Sequence, residues 1–263
     1  MNSLLLDIVT PTLDSERYLE ETILSTRRLR DMGATHLICD SGSSDNTCSI
    51  IERHAIASVF HPAGNMYAAI NFGFRQLTSE WLTYINSDDI LYSEGVIGSL
   101  AKWGEDADII YGNVDYIDSE SRFLYGWLSP QSDELRGLFA GGVSALPQPG
   151  TLFRRSVWEA LQGFAEEYRY SADLDFFRRG YVKRLRYRYY PGPPVAAFRI
   201  HDRQFSCVVP DKMGEERKRI LAVCQQKVSY WVKLRALISF RLRNIESYLA
   251  RRLRNRQIRR VDT

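Results

Sequence analysis

Four residues in a row, Asn86-Ser87-Asp88-Asp89, follow the apolar run Trp81-Leu82-Thr83-Tyr84-Ile85. A buried strand that ends in an amide, a hydroxyl and two carboxylates presents hard oxygen ligands at its C-terminal end. Open α/β sheets bind ligands beyond the carboxyl ends of their strands, and Mg²⁺ or Mn²⁺ takes one or two carboxylates together with a substrate diphosphate. The chemistry expected at Asn86 to Asp89 is therefore metal-assisted binding of a diphosphate. The alternative is that Asp88 and Asp89 cap a helix beginning near Ser93, because Asp favours turns and helix starts.

The elements that must position this stretch follow from periodicity. Leu4 to Val9 reads as a first buried strand, followed by Thr10-Pro11-Thr12 and then a helix with Asp14 or Ser15 as N-cap and Leu19 and Ile23 facing inward. His36 to Cys39 is a second strand ending in the polar turn Asp40-Ser41-Gly42-Ser43-Ser44-Asp45-Asn46-Thr47, and Ala57 to Phe60 is a third. Asn65 to Leu77 is a helix, Trp81 to Ile85 a strand and Ser93 to Trp103 a helix; the alternation implies βαβ units and a mostly parallel sheet. After a strand over Ala107 to Tyr111 the rhythm changes to a hairpin from Val114 to Tyr125, helices over Gln131 to Phe139, Ser156 to Leu161 and Asp173 to Arg179, and strands at Thr151 to Phe153, Leu185 to Tyr190 and Val195 to Ile200.

The 263 residues suffice for one sizeable domain with an appendage. The net charge of +3 conceals a division: from Lys212 onward there are fifteen Lys/Arg against four Asp/Glu, a surplus of eleven, so the preceding part stands near −8. An acidic domain that binds an anion needs a metal ion or local arginines to offset repulsion, which agrees with the carboxylate cluster. Cys39, Cys48, Cys207 and Cys224 have neither metal-ligand spacing nor a dense disulfide pattern and read as reduced packing residues. With no charged N-terminal region before an apolar core and no apolar run of about 18 residues, the expected location is the cytoplasm or the inner face of its membrane.

Several stretches together resemble the inverting family 2 glycosyltransferases of the GT-A fold, in particular those of bacterial cell-surface polysaccharide biosynthesis. They are Ile8-Val9-Thr10-Pro11-Thr12, Asp40 to Thr47, Asn71-Phe72-Gly73-Phe74, Ile85 to Asp89, Tyr111-Gly112-Asn113, Gln148 to Arg155, Gly163-Phe164, Asp173-Leu174-Asp175 and Phe198-Arg199-Ile200-His201. They occur in the family's order over residues 4 to 206. The resemblance implies a GT-A domain over 1–210, a Rossmann-like α/β fold with a mostly parallel sheet, followed by a basic amphipathic helical tail over 211–263. It also implies transfer of a sugar from a nucleotide-sugar to an acceptor hydroxyl with inversion, aided by Mn²⁺ or Mg²⁺. Thr10, Pro11, Thr12, Asp40 and Ser41 would line the nucleoside pocket. Asn86, Ser87 and Asp88 occupy the family's Asp-X-Asp region, with Asp88 as the direct metal ligand and Asn86 beside it. His201 would complete the metal or diphosphate site, and Arg199 and Arg154 are candidate partners for phosphate oxygens. Asp173 lies at the position of the catalytic base, with Asp175 as its competitor; residues two apart on a helix do not share a face, so only one can enter the cleft.

One stretch departs from the family. Relatives often carry Asp-Arg-Gly-Gln-Tyr-Asp where this chain reads Ala63-Gly64-Asn65-Met66-Tyr67-Ala68, so the usual Asp and Arg are absent. This motivates a rival reading, a non-catalytic nucleotide-sugar-binding or scaffolding subunit. A nucleotidyltransferase is a second rival, disfavoured by the lack of a Gly-rich, basic phosphate loop after the first strand. In the tail, Ile220, Cys224, Val228, Trp231, Leu234, Ile238, Leu242, Ile245, Leu249 and Leu253 fall at steps of three and four, with arginines on or beside the polar side. Such a stripe either lies on an anionic membrane surface, where a lipid-linked saccharide acceptor would be met, or packs on the catalytic domain or a second copy in a homo-oligomer. Nothing in the acidic domain supports nucleic-acid binding.

Overall fold

The computed structural model describes residues 4–143, 146–202, 204, 208–223 and 228–261, with side chains up to Arg254 in the last helix. Cys207 and Cys224 lie outside them; Cys39 and Cys48 are free thiols, the first buried. Strands β1 (Leu6–Thr12), β2 (Thr35–Asp40), β3 (Ala57–Phe60) and β4 (Trp81–Tyr84) run parallel, β4 and β2 flanking β1 and β3 forming an edge. Beyond β4 come β9 (Thr151–Arg154), antiparallel to both neighbours, then β6 (Ile109–Gly112) and β10 (Tyr187–Tyr190), which are parallel to each other. A second sheet has the order β5 (Ile90–Leu91), β11 (Ala196–Arg199), β7 (Val114–Ile117), β8 (Phe123–Trp127).

Both faces of the large sheet are covered, as a parallel sheet requires. On one face Val9, Cys39, Tyr84 and Tyr111 pack with α4 (Met66–Arg75), α7 (Arg155–Ala160) and α8 (Ala172–Val182). On the other, Leu6, Ile8, Trp81 and Ile110 meet α2 (Arg27–Asp31) and α5 (Ser93–Trp103). Helix α4 lies so close to β1 and β2 that a Cβ on Gly73 would stand 2.7 Å from Cys39 Sγ and 2.9 Å from Val9. Asn71 on the same helix is 2% exposed and fully used: its Nδ2 donates to Phe164 O and Glu166, and its Oδ1 accepts from Phe164 N and the Trp158 indole. The Asn71-Phe72-Gly73-Phe74 and Gly163-Phe164 motifs are thus scaffolding.

Two expectations are corrected. The first strand does not stop at Val9 but runs through Thr10-Pro11-Thr12, because β1 continues to pair with β2 as far as Thr12 opposite Asp40. Pro11 is tolerated there because it points, like Val9, toward β4, whose pairing with β1 ends at Tyr84; the missing N–H leaves no ladder partner unsatisfied. Neither Asp14 nor Ser15 caps the first helix, α1 (Leu19–Ser25), which starts after Tyr18 without a side-chain cap. Asp14 instead accepts from the Ser44 N–H at 2.7 Å, and the Ser15 hydroxyl meets that of Ser87 at 2.8 Å. The last strand, β11, joins the second sheet, parallel to β7.

The tail forms three helices, α9 (Pro210–Val223), α10 (Tyr230–Arg243) and α11 (Ile245–Val261). Ile220 of the expected stripe docks, whereas the two later helices are seated through other residues. Glu216 and Ile220 anchor α9, Ala236 and Phe240 seat α10 on α6 (Leu135–Ala140), and Asn244 and Ser247 bond to Leu128 and Gly126. Trp231, Ile238, Leu242, Ile245, Leu249 and Leu253 stay exposed, so in these residues the stripe does not cover the α/β body. No helix among the described residues is long and apolar enough to cross a membrane.

Where the two sheets meet, one buried cation holds the junction. Arg199, 1% exposed, donates from Nε to Asp88 O at 2.7 Å, from its guanidinium to Asp118 O, Ser121 and Glu21, and from its backbone N–H to Asp89 at 2.9 Å. Arg199→Met keeps the backbone N–H to Asp89 but removes the donors to the Asp88 and Asp118 carbonyls, Ser121 and Glu21, which is expected to cost about 1–3 kcal/mol. Urea denaturation should show the midpoint falling accordingly; an unchanged midpoint would mean that the junction does not depend on this residue.

Candidate active site

The parallel strands β1, β2 and β4 deliver their C-terminal ends to one edge of the sheet, and a cavity of about 1100 Å³ opens there. Pro11, Thr12, Ser41, Asn86, Ser87, Asp88, His201 and Asp173 line it, so eight of the residues expected at the site share one space. Thr10, Asp40, Arg199 and Arg154 do not belong to its wall. Thr10 points into the core, where its hydroxyl bonds His36 Nε2 at 2.9 Å; that imidazole, bonded also to Thr26, is held neutral by burial, its pKa lowered to about 3. The Asp40 carboxylate is occupied by the turn that follows it, accepting from Gly42 N, Ser43 N and the Ser43 hydroxyl. Arg199 gives its guanidinium to protein acceptors, as described above, so it supports the Asp88 loop from behind rather than meeting a phosphate. Arg154 likewise bonds Glu80 and the carbonyl of Ala107 and lies over Trp81 at the N-terminal end of β4.

At the end of β4, Asp88 Oδ2 and His201 Nε2 are 2.8 Å apart, and the Tyr18 ring lies 5.2 Å from the imidazole. Asn86 Nδ2 donates to Asp89, while its buried Oδ1 has no hydrogen-bond partner in the protein. Asp89 is 1% exposed; burial, with the neighbouring Asp88 charge second, raises its pKa well above the usual carboxylate range against the Arg199 N–H. Among the described residues no three His, Cys, Asp or Glu gather as a metal cluster. The donor set is instead a carboxylate, an imidazole and an orphaned amide oxygen. Such a set fits a hard divalent ion that takes its remaining ligands from water and a diphosphate.

Asp173 stands in the first turn of α8 and accepts from the Tyr67 hydroxyl at 3.1 Å. Burial raises its pKa; the backbone N–H of Leu174 and the Tyr67 hydroxyl act in the opposite direction. The same burial, with the Asp173 charge second, raises the Tyr67 phenol well above its ordinary value, so it remains a donor. Asp175 turns away and pairs with Arg179 Nε at 2.6 Å. Environment thus separates two carboxylates two residues apart: one faces the cavity, the other locks a helix turn.

The stretch that departs from the family, Ala63 to Tyr67, forms part of this wall. Asn65 caps α4, its Oδ1 accepting from Tyr67 N at 2.9 Å, and Nδ2 reaches Glu166 O at 2.6 Å. Sequence reasoning missed Tyr67, and also Gln148, which lines the cavity and donates to Tyr84 O at 2.7 Å. Both lie in stretches that had been compared with the family, Tyr67 in the departing one and Gln148 in a matching one. Their roles depend on cross-chain contacts, which no local pattern reveals.

Comparison with known proteins places this geometry. An uncharacterized glycosyltransferase of Rickettsia typhi is 24% identical over 221 residues, which is 80% of this chain and 69% of that one. The glycosyltransferase GlyG of Streptococcus pneumoniae is 27% identical over 130 residues, 46% of this chain and 43% of its own length. Among solved structures, S. aureus TarS 1-349 in complex with UDP-GlcNAc has a TM-score of 0.65 at 18% identity, over 92% of this chain and 72% of that one; the chain spans 43% of the longer TarS. Glucosyl-3-phosphoglycerate synthase from Mycobacterium tuberculosis, in complex with Mn²⁺, UDP and glucosyl-3-phosphoglycerate, gives 0.60 at 18% identity, over 85% and 81%. The fold is that of the GT-A glycosyltransferases. A family model described as glycosyl transferase family 2 matches residues 7–162, more than half of the chain, which therefore belongs to that family of sugar transferases.

Proposed function

We propose that the chain transfers a sugar from a nucleoside-diphosphate donor to an acceptor hydroxyl with inversion at the anomeric carbon. The observation that carries this reading is that one cavity holds both a carboxylate with a raised pKa, Asp173, and the Asp88, His201 and Asn86 set. The UDP-GlcNAc and UDP complexes of the two structural relatives support a nucleotide-sugar donor, bound where Pro11, Thr12 and Ser41 line the cavity. In a single displacement the acceptor oxygen bonds to C1 as the C1 bond to the diphosphate breaks, and the hydroxyl proton passes to Asp173. Tyr67 holds that carboxylate in place. A divalent ion, Mn²⁺ or Mg²⁺, held by Asp88 and His201 with Asn86 Oδ1, would offset charge on the leaving diphosphate. Against the rival of a non-catalytic subunit stands the hydrogen bond that Tyr67, in the departing stretch, makes to Asp173.

Asp173→Asn removes the proton acceptor at nearly constant volume, so transfer should fall by roughly 10²–10⁴ with donor affinity little changed. A raised pKa makes the acid limb of the kcat/KM profile lie above the pH at which an ordinary aspartate titrates, since activity is lost as pH falls through the pKa of the base. That limb should be absent in the mutant, and Asp175→Asn should act on stability instead. The reverse pattern would move the base to Asp175. For the metal, calorimetry of UDP should show weaker binding in excess EDTA than with Mn²⁺, and Asp88→Ala should erase the difference; equal affinities in wild type would remove the ion from this site.

The acceptor we assign is a saccharide or lipid-linked saccharide in polysaccharide or glycolipid assembly, met at an anionic membrane surface. Support comes from the exposed stripe, with Trp231 74%, Leu242 62% and Leu253 61% exposed, on helices whose residues 228–254 carry seven Lys/Arg against one Glu. Each basic residue near an anionic surface contributes on the order of 1 kcal/mol. Vesicles containing phosphatidylglycerol should sediment the protein, neutral phosphatidylcholine vesicles hardly at all, and about 0.5 M salt should weaken the effect by screening. The double variant Trp231→Glu, Leu242→Glu changes only exposed positions and should abolish binding. Vesicle binding that survives it, or none in wild type, would return the stripe to a contact between copies.

A further inference from the structure

The wall around Asp173 carries positive charge that sugar transfer alone does not require. Helix α9 is tied down through its inner face: Glu216, 7% exposed, accepts from the backbone N–H of Arg169 at 2.8 Å and of Tyr170 at 2.9 Å, and Ile220 is sealed in the core. This fixes Met213 and Arg217, one turn apart, on the cavity wall beside Arg169, Tyr170 and Asp173. The Arg217 charge reaches the Asp173 carboxylate, where it opposes the effect of burial. Among the described residues neither Arg169 nor Arg217 enters an ion pair.

A cation beside a general base weakens the base, because it stabilises the carboxylate and lowers its proton affinity. Of the two arginines that line this wall, Arg217 acts on Asp173 in that direction, and an anion bound between them would offset its charge. A bound oxyanion does so, and guanidinium groups match the geometry of phosphate oxygens. The position matters as well. The anion would lie within reach of arginines that neighbour the base, and so within a few atoms of the hydroxyl that the base deprotonates.

We propose that Arg217 and Arg169 form an acceptor subsite for a phosphate-class oxyanion carried close to the attacked hydroxyl, so that the true acceptor is a phosphorylated alcohol or saccharide. The inference rests on the glycosyl-transfer reading for the role of Asp173. It also gives the tail a part in the site, since Arg217 belongs to α9. An acceptor without the anion would leave Arg217 uncompensated and Asp173 a poorer base, which makes the subsite a selector as well as an anchor.

The test is calorimetry on the full chain with glycerol 3-phosphate, glycerol, glycerate and inorganic phosphate as probes, each with and without saturating UDP and Mn²⁺, so that the diphosphate position is occupied in one arm. Glycerol 3-phosphate should bind in both arms and glycerol in neither. Arg217→Ala and Arg169→Ala should each weaken glycerol 3-phosphate about tenfold or more, Arg217→Lys less, with UDP affinity unchanged. Both arginines are exposed, so the variants should fold, and thermal melts check this. Equal binding of glycerol and glycerol 3-phosphate, or affinity indifferent to both alanine variants, would overturn the subsite. Inorganic phosphate as tight as glycerol 3-phosphate would overturn its acceptor role, and glycerate as tight would overturn its phosphate class. A failure of UDP to bind would refute the donor reading separately, while the UDP-free arm still reads the subsite.

Discussion

The geometry of the site depends on a charge buried where two sheets join. Arg199 ends β11 of the small sheet, yet its donors reach the Asp88 carbonyl after β4, the β7–β8 turn at Asp118 and Ser121, and Glu21 on α1. The Tyr18 ring lies 4.5 Å beneath the guanidinium. Burying a guanidinium is unfavourable unless its donors are answered, and here every arm of the fork has an acceptor. The return is positional. His201 follows two residues after the strand, so fixing Arg199 against the Asp88 backbone also fixes the imidazole 2.8 Å from the Asp88 carboxylate. A histidine on one sheet and a carboxylate on the other are registered by the residue that neither touches a ligand nor faces the cavity.

Much of this architecture was legible in the chain because it rests on local periodicity. β2, β3 and β4 and helices α4 and α5 occur within a residue or two of their expected bounds, since each is a run with one period and a clear breaker. The carboxylate cluster after β4 was legible for the same reason. What was not legible depends on distance in the chain. Thr10 and Arg199 are polar residues at strand ends, and nothing local says whether such a side chain turns to a ligand or to the core; His36 and Glu21 decide it from 26 and 178 residues away. Asp40 could serve a base or its own turn, and the Gly42 and Ser43 amides claim it. The tight Asp-Ser-Gly-Ser sequence carried that signal, because Asp commonly bonds backbone N–H groups two and three residues on.

The tail illustrates a different failure of periodicity. A stripe of aliphatic residues at steps of three and four is ordinarily the buried side of a helix. Here the helices dock by small and polar groups: Gly137 on α6 lets Ala236 approach so closely that a Cβ on the glycine would stand 2.5 Å from the Ala236 methyl, and Asn244 bonds both N–H and C=O of Leu128. Counting large apolar residues cannot detect an interface made by a glycine and an amide. The charge division was the better guide, because it marked these helices as having two tasks, with Phe240, Tyr248 and Arg251 turned to the cavity and the aliphatic stripe turned outward.

The Ala63 to Ala68 stretch, which lacks the usual Asp and Arg, meets the tail at one carboxylate. A general base of the kind proposed for Asp173 needs a defined position and suitable basicity, and not any particular neighbour in sequence. Tyr67, which that stretch provides, donates to Asp173, and there burial is set against the Tyr67 hydroxyl, the Leu174 N–H and the Arg217 charge. Two of these influences are covalently remote from α8 and one of the two comes from the tail, so the loop and the tail act on the same group.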